Sequence, residues 1–277
     1  MVHGESRSAA CRPVRHDVAV IDWGSGTYER TAAELEPVSE AVVEMAAISP
    51  GQDVIDLACG TGNAALLAAG RGARVVGIDA SARLLKVACG RARAQGVDVD
   101  FREGDLLELP LPDGTADLVL SVFGVIFASD PTQALREVRR VLRSGGRGLL
   151  SAWIPSGPID AMLGAMGRIL GRISQAPSPQ RFPWSDPAAL GPLAAQQGLA
   201  LEATTTAELA IRSSSPAAYV LAGQEHPMAL AVRPVIERAG VGAEVQEAMT
   251  AVLREANEDP EGFLVHSPYV VHELHAR

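Results

Sequence analysis

The stretch Val54-Ile55-Asp56-Leu57-Ala58-Cys59-Gly60-Thr61-Gly62-Asn63 decides the fold: the short apolar run DVIDLA over 53–58 enters a glycine turn and leaves it as the helical stretch GNAALLAAG, closed by Gly70. A buried strand handing the chain to a helix in this way is the first half of a parallel-strand unit. Gly60 and Gly62 let the backbone pass close to a ligand, and the helix opens with free N–H groups that can take a negatively charged group. Such a turn also has a purely structural reading, so the neighbouring strands have to arbitrate.

Working outward, ARVVGID (73–79) is a second strand and ARLLKVACGRARAQ (82–95) a second helix. VDVDFREGD (97–105) alternates as a strand should, TADLVLSVFG (115–124) is β-branched and buried, PTQALREVRRVL (131–142) is an amphipathic helix, and GRGLLSAWI (146–154) is a fifth strand. Strands separated by single helices require right-handed crossovers and a parallel sheet covered on both faces, which makes the fold class α/β and doubly wound. Upstream, 27–48 spaces apolar residues at helical intervals, and Pro37 divides it into two short helices. Beyond Pro155 the rhythm loosens into a Met-bearing helix (157–175), a Pro-rich loop (176–186), a helix (187–198), long strands over 199–212 and 263–276, and two or three helices over 214–257.

Ligands of open parallel sheets bind outside the carboxyl ends of the strands. The second strand ends in Asp79, 23 residues beyond Asp56, where a carboxylate can accept both hydroxyls of a ribose. Asp79 can alternatively be the N-cap of the helix near Ala82, a role that Ser81 is equally able to fill. The third strand ends in Gly104-Asp105: that carboxylate can accept from a purine amine, while the Leu106 N–H donates to the ring.

The 277 residues are 47% hydrophobic and 21% charged, enough for a sizeable core and against a disordered chain. A net charge of −9 disfavours a nucleic-acid partner. Cys11, Cys59 and Cys89 are an odd number without CxxC spacing, pointing to neither a disulfide framework nor a metal site, so the expected metal complement is none and the expected location cytoplasmic. No apolar run approaches the roughly 18–20 residues of a membrane span, and no signal peptide is recognisable at the N-terminus. Residues 1–22 are expected to be a flexible arm.

Here the chain resembles the class I S-adenosylmethionine-dependent methyltransferases, closest to the small-molecule branch of the ubiquinone/menaquinone-biosynthesis type. The resemblance covers roughly 23–155. It rests on 54–63 for the first motif and Val76-Gly77-Ile78-Asp79 for the second. Gly104-Asp105-Leu106 with Leu109-Pro110-Leu111-Pro112-Asp113 matches the third, and Arg140-Val141-Leu142-Arg143-Ser144-Gly145-Gly146 the turn before the fifth strand. Ala58 departs from the glycine many members carry there, a substitution also found in the family, and the full G-x-G-x-x-G of a nicotinamide-binding protein is absent.

The resemblance implies a Rossmann-like, mostly parallel seven-stranded sheet with an antiparallel last strand and helical cap insertions. It divides the chain into a helical lid (23–50), an S-adenosylmethionine-binding core (51–155), and final strands plus cap forming an acceptor pocket (156–277). The cofactor is S-adenosylmethionine and the product S-adenosylhomocysteine. Asp56, Ala58, Cys59, Gly60, Gly62 and Asn63 then lie along its methionine and ribose, Asp79 with Ala80 at the ribose hydroxyls, and Asp105 with Leu106 at the adenine. Val122 and Phe123 offer a backbone carbonyl to the methionine amine, and Phe127 lies against the cofactor or in the core. Trp23-Gly24-Ser25-Gly26-Thr27-Tyr28 looks like the W-x-x-G-x-Y segment that folds over the cofactor, with a hydrophobic anchor for a terminal helix as the other reading.

Methyl transfer from a sulfonium is an in-line displacement, so the protein has chiefly to align the partners and keep water out; a general base matters when the acceptor is a hydroxyl. His226, His266 and Tyr269 are the candidate bases, each with an ordinary surface or strand reading beside it. Met162, Met166, Phe182, Trp184 and Tyr219 are candidate lining for an apolar or planar acceptor. The expected function is methyl transfer to an O or N atom of a small organic molecule, a secondary metabolite, by a monomer or homodimer. Two other readings stay open, a cyclisation or rearrangement on the same fold and a cofactor-binding regulator without turnover.

Overall fold

The computed structural model describes residues 21–174 and 181–277. Most of the expected N-terminal arm, with Cys11, and the loop residues 175–180 lie outside them. The helices are α1 (Glu29–Glu34), α2 (Glu36–Met45), α3 (Asn63–Gly70), α4 (Ala82–Gln95), α5 (Pro131–Val141), α6 (Pro158–Ser174), α7 (Pro187–Gln196), α8 (Pro216–Ala222), α9 (Pro227–Ala239) and α10 (Gly242–Glu255). The strands are β1 (Asp53–Leu57), β2 (Arg74–Asp79), β3 (Asp100–Glu103), β4 (Ala116–Ser121), β5 (Leu142–Trp153), β6 (Leu199–Ser213) and β7 (Phe263–Ala276).

They form one seven-stranded sheet in the order β3-β2-β1-β4-β5-β7-β6. Strands β1 to β5 pair in parallel, and β7 runs antiparallel to both β5 and β6, as the resemblance implies. The chain leaves β1 toward β2 on one side and returns to β4 on the other, which puts the switch-point crevice at the carboxyl ends of β1 and β4.

Local chemistry sets the boundaries. Pro37 falls in the first turn of α2, where its missing N–H costs nothing. Ser81 caps α4 by accepting from Leu84 N at 3.3 Å, and Gly96 ends that helix in the left-handed conformation. Asp130 caps α5, whose buried face is Ala134, Leu135, Val138 and Val141.

Two expectations shift. The turn expected over Arg140–Gly146 is taken up by the end of α5 and the start of β5, which pairs Leu142 with Ala116 and Arg147 with Leu118 and absorbs the extra residues as a bulge. Asp105 lies beyond β3, in an isolated bridge to Glu108.

The sheet has a packed layer on each face. One contains Val42, Ala65, Leu118, Leu149, Met162 and Val271, the other Ile55, Leu135, Leu150, Trp184 and Leu274. Beyond Trp153, which pairs with Tyr269, β6 and β7 continue as a two-stranded ribbon to the pair Ser213 and Phe263. This ribbon projects past the carboxyl end of β5, and α6 and α8 pack against it, with α10 seated on those two helices.

Candidate functional site

The glycine turn is built from left-handed residues, with Ala58 at φ +51°, Gly60 at +54° and Gly62 at +84°. Gly62 is the N-cap of α3 and has no side chain to close the first turn. Asp56 does so from the strand: its Oδ2 accepts from Ala65 N at 2.9 Å. Burial, opposed by that bond and reinforced by Asp79, pushes the Asp56 carboxyl up to about 7.

Asp79 holds the same turn from the next strand. Its Oδ2 accepts from Gly60 N and its Oδ1 from Ser81 N, each at 2.8 Å. Since Ser81 supplies the cap of α4, the capping alternative for Asp79 is not the one realised. Burial raises its pKa, and each oxygen keeps a lone pair beyond the one its amide occupies.

Tyr28, Asp56, Ala58, Cys59, Gly60, Asn63 and Val122 line one cleft together, all of them expected at the site. Tyr28 lies over the turn, its Cε1 3.4 Å from where a Cβ on Gly60 would sit, and burial pushes its phenol up to about 12. Burial also pushes the Cys59 thiol well up, leaving it inert as a nucleophile. Trp23 stands edge-on to Tyr28 at 5.7 Å and to Phe127 at 4.7 Å.

Other expected residues are placed differently. The Phe123 ring turns away, stacked on Trp153 at 4.0 Å and edge-on to Tyr269, so only its backbone remains beside Val122. Asp105 is exposed at the far end of the crevice, where its Oδ1 accepts from Leu107 N, with Leu106 half-buried and Ala80 exposed beside β2. His266 is held by Glu258 at 2.9 Å near the start of β7, and among the described residues no contact links it to the cleft. Burial raises the Tyr269 phenol, which further weakens it as a base.

His226 does reach the cluster, 5.8 Å from Tyr28 and 6.0 Å from Trp23, but its Nδ1 is engaged as the N-cap of α9, accepting from Met228 N at 3.2 Å. A neutral ring in that role carries its proton on Nε2, which leaves it no free lone pair to act as a base. The supposed acceptor lining is divided as well. Met162 and Tyr219 belong to one face of the sheet, Phe182 and Trp184 to the other.

Sequence reasoning missed Ala32, Leu35, Ser39, Thr61 and Ala64, which complete the cleft. Ser39 carried a signal: it is a polar residue in the otherwise apolar stripe Val38, Val42, Val43 of α2.

The residue set fits S-adenosylmethionine. A cradle open only to glycine or a strained alanine lies beside a carboxylate suited to a ribose and a second, buried carboxylate suited to an ammonium group.

Residues 55–150 match the methyltransferase domain family. A demethylmenaquinone methyltransferase from Thermus thermophilus is 43% identical over 107 residues, covering 38% of this chain and 49% of that protein. An uncharacterised protein from Mycobacterium tuberculosis is 37% identical over 142 residues, covering 51% of this chain and 52% of its own. The chain spans about half the length of the curated relatives it matches. Among solved structures, the YcgJ protein from Bacillus subtilis is similar with a TM-score of 0.60 at 21% identity, over 86% of this chain and 97% of that one, a likeness of fold. Residues 55–150 thus match the methyltransferase domain family, and in motifs and fold the chain resembles the class I S-adenosylmethionine-dependent methyltransferases, whose cofactor its glycine turn and strand-end carboxylates fit.

Proposed function

We propose that the protein transfers a methyl group from S-adenosylmethionine, by in-line displacement, to an O or N atom of a small apolar or planar organic molecule of the secondary-metabolite kind. The observation that carries this reading is the convergence of Asp56, Asp79 and the Gly60 turn beneath Tyr28 and Trp23 at the switch point of the sheet. When bound, the cofactor supplies a methyl already activated on a sulfonium, so the chain's work is positioning and exclusion of water.

In this reading Asp79 accepts the ribose hydroxyls, and Asp105 and Leu106 meet the adenine. Asp56 and the backbone at Val122 face the methionine amine, while Trp23, Tyr28 and Phe127 keep water off the sulfonium. Residues 51–155 serve the cofactor, and 156–277 the acceptor, through the ribbon and the helices upon it. Relatives whose names specify demethylmenaquinone and 2-phytyl-1,4-naphthoquinone place reduced naphthoquinones first among acceptors to try.

The test is calorimetry with S-adenosylhomocysteine, followed by turnover of methyl-labelled S-adenosylmethionine on a panel of reduced naphthoquinones, phenols and amines. Label in an organic product supports transfer. Tight cofactor binding with no S-adenosylhomocysteine released from any member of the panel supports the rearrangement or regulator readings instead.

A further inference from the structure

The turn after β4 is strained and held from several sides. Phe123 sits at φ +55°, a conformation that a bulky aromatic residue rarely adopts. Such backbone persists only where its surroundings over-determine it, and it gathers where a ligand is clamped. The Phe123 amide donates to Ser151 Oγ of β5 at 2.9 Å. Its ring lies flat on Trp153, with an interplanar angle of 5°, and edge-on to Tyr269 at 5.8 Å. Ser121 pins the turn to the end of β1, since its Oγ accepts from Val125 N at 2.9 Å and donates to Leu57 O at 3.0 Å.

Ser151 is a polar residue at a core position. It is 0% exposed and shares its face of β5 with Leu149 and Trp153, both of which pack into the apolar layer there. A hydroxyl so placed is costly unless it is hydrogen-bonded, and the partner it has is the Phe123 amide. Among the described residues no side chain of β5 lines the cofactor cleft, whereas Val122 does. The peptide that joins Val122 to Phe123 is planar and trans, so its N–H and its carbonyl point in opposite directions. Fixing the Phe123 amide on Ser151 therefore fixes the aim of the Val122 carbonyl away from β5. That carbonyl is the group the cofactor reading offers to the methionine amine.

We propose that Ser151 is a positioning residue for the cofactor. Through the Phe123 amide it holds the strained peptide with the Val122 carbonyl turned to the methionine amine, and Trp153 steadies the same turn through the Phe123 ring. Strand β5 thereby sets the grip on the methionine half without touching it. The role rests on the cofactor assignment proposed above and adds to it a residue outside the glycine turn and the strand-end carboxylates.

Calorimetry with S-adenosylhomocysteine and with its deamino analogue, which lacks only the amine, separates positioning from packing. In Ser151→Ala the Phe123 amide loses its acceptor and the peptide is free to turn. S-adenosylhomocysteine should bind about tenfold more weakly, the effect of one hydrogen bond, while the deamino analogue should change by less than about twofold. Trp153→Leu keeps the hydroxyl but removes the stack, and it should weaken S-adenosylhomocysteine with the same selectivity for the amine. It carries the test alone if Ser151→Ala does not fold. Equal weakening of both ligands in a folded variant means a general loosening of the core and overturns the role, as does unchanged affinity for both. Failure of the cofactor assignment looks different: the natural protein itself then binds neither ligand, and the role of Ser151 falls with it. Failure of the positioning role alone shows only in the variants, against a natural protein that binds S-adenosylhomocysteine.

Discussion

The carboxylate of Asp79, at the end of β2, accepts the amide of Gly60, in the turn after β1, at 2.8 Å, while its other oxygen takes Ser81 N. One side chain thus fixes both the glycine turn and the start of α4. Asp79→Ala should weaken S-adenosylhomocysteine binding by about 1.5–3 kcal/mol, the weight of a charge-assisted hydrogen-bond pair, and should also lower the unfolding midpoint because two amides lose their acceptor. Calorimetry giving unchanged affinity in a folded variant removes the ribose assignment.

Asp56 sets stability against binding. Its carboxyl titrates near 7 in the folded protein because it is buried. Between the ordinary carboxylate range and that value the folded state holds a proton that the unfolded chain has released, so stability falls as pH rises through the window and the loss is complete above it. Asp56→Asn keeps an acceptor for Ala65 N without the charge. Urea unfolding should find the variant more stable than the natural protein by about 1–3 kcal/mol near pH 8, with the difference shrinking toward pH 5. Cofactor affinity should drop, because an amide offers an ammonium group no countercharge.

His272 gives the opposite pH dependence. It is 1% exposed, with Nε2 donating to Trp184 O and Nδ1 accepting from Thr204 Oγ1, both at 2.9 Å. Burial, partly offset by the Trp184 carbonyl, lowers its pKa. The unfolded chain therefore takes up a proton first as pH falls below about 6.5, and the stability held by the neutral ring is lost as pH drops on through the folded value. Urea midpoints should fall more steeply from about pH 7.5 to about pH 5.5 in the natural protein than in His272→Gln. Equal slopes would show that another group controls the acid limb.

The turn after β4 is packed onto the turn after β1. A Cβ at Gly124 would lie 2.5 Å from Ala58 Cβ and 2.9 Å from Leu57 O. Ala58 is itself left-handed, a strain of about 1 kcal/mol that glycine would relieve. Gly124→Ala should cost about 2 kcal/mol or more, and less in an Ala58→Gly background, where only the contacts with Leu57 O and Ser121 Oγ remain. A double-mutant cycle should give a coupling of about 1 kcal/mol, and additivity would mean that the two turns do not share the space.

All seven strands were legible, because fully buried parallel stretches such as Leu118-Val119-Leu120 are apolar and the helices between the strands are bounded by caps such as Ser81 and Asp130. The carboxylates were legible because they stand where such strands end. Phe123 was not: its left-handed backbone swings the ring onto Trp153, which no periodicity encodes. Nor was the separation of Trp184 from Met162, since α6 packs on one face of the sheet and the segment leading into α7 on the other, a choice that helical periodicity does not encode. The approach of Gly26 to Glu225 depends on how residues 199 positions apart fold together, and a lone glycine gives no hint of its partner.

His226 separates two roles that the sequence alone leaves together. As a base it would need a free lone pair on Nε2, but the cap on Met228 N holds the proton there. Asparagine is among the best N-cap residues and reaches the same amide with its side-chain oxygen, while it has no imidazole to exchange a proton. His226→Asn should therefore keep turnover within about tenfold on whichever acceptor of the panel is methylated, and its pH–rate profile should keep the shape of the natural enzyme's. His226→Phe, which lacks the cap, should lose about 1 kcal/mol of stability. A fall in turnover of about 10²–10⁴ in folded His226→Asn, with the acid limb of the profile gone, would restore the base assignment.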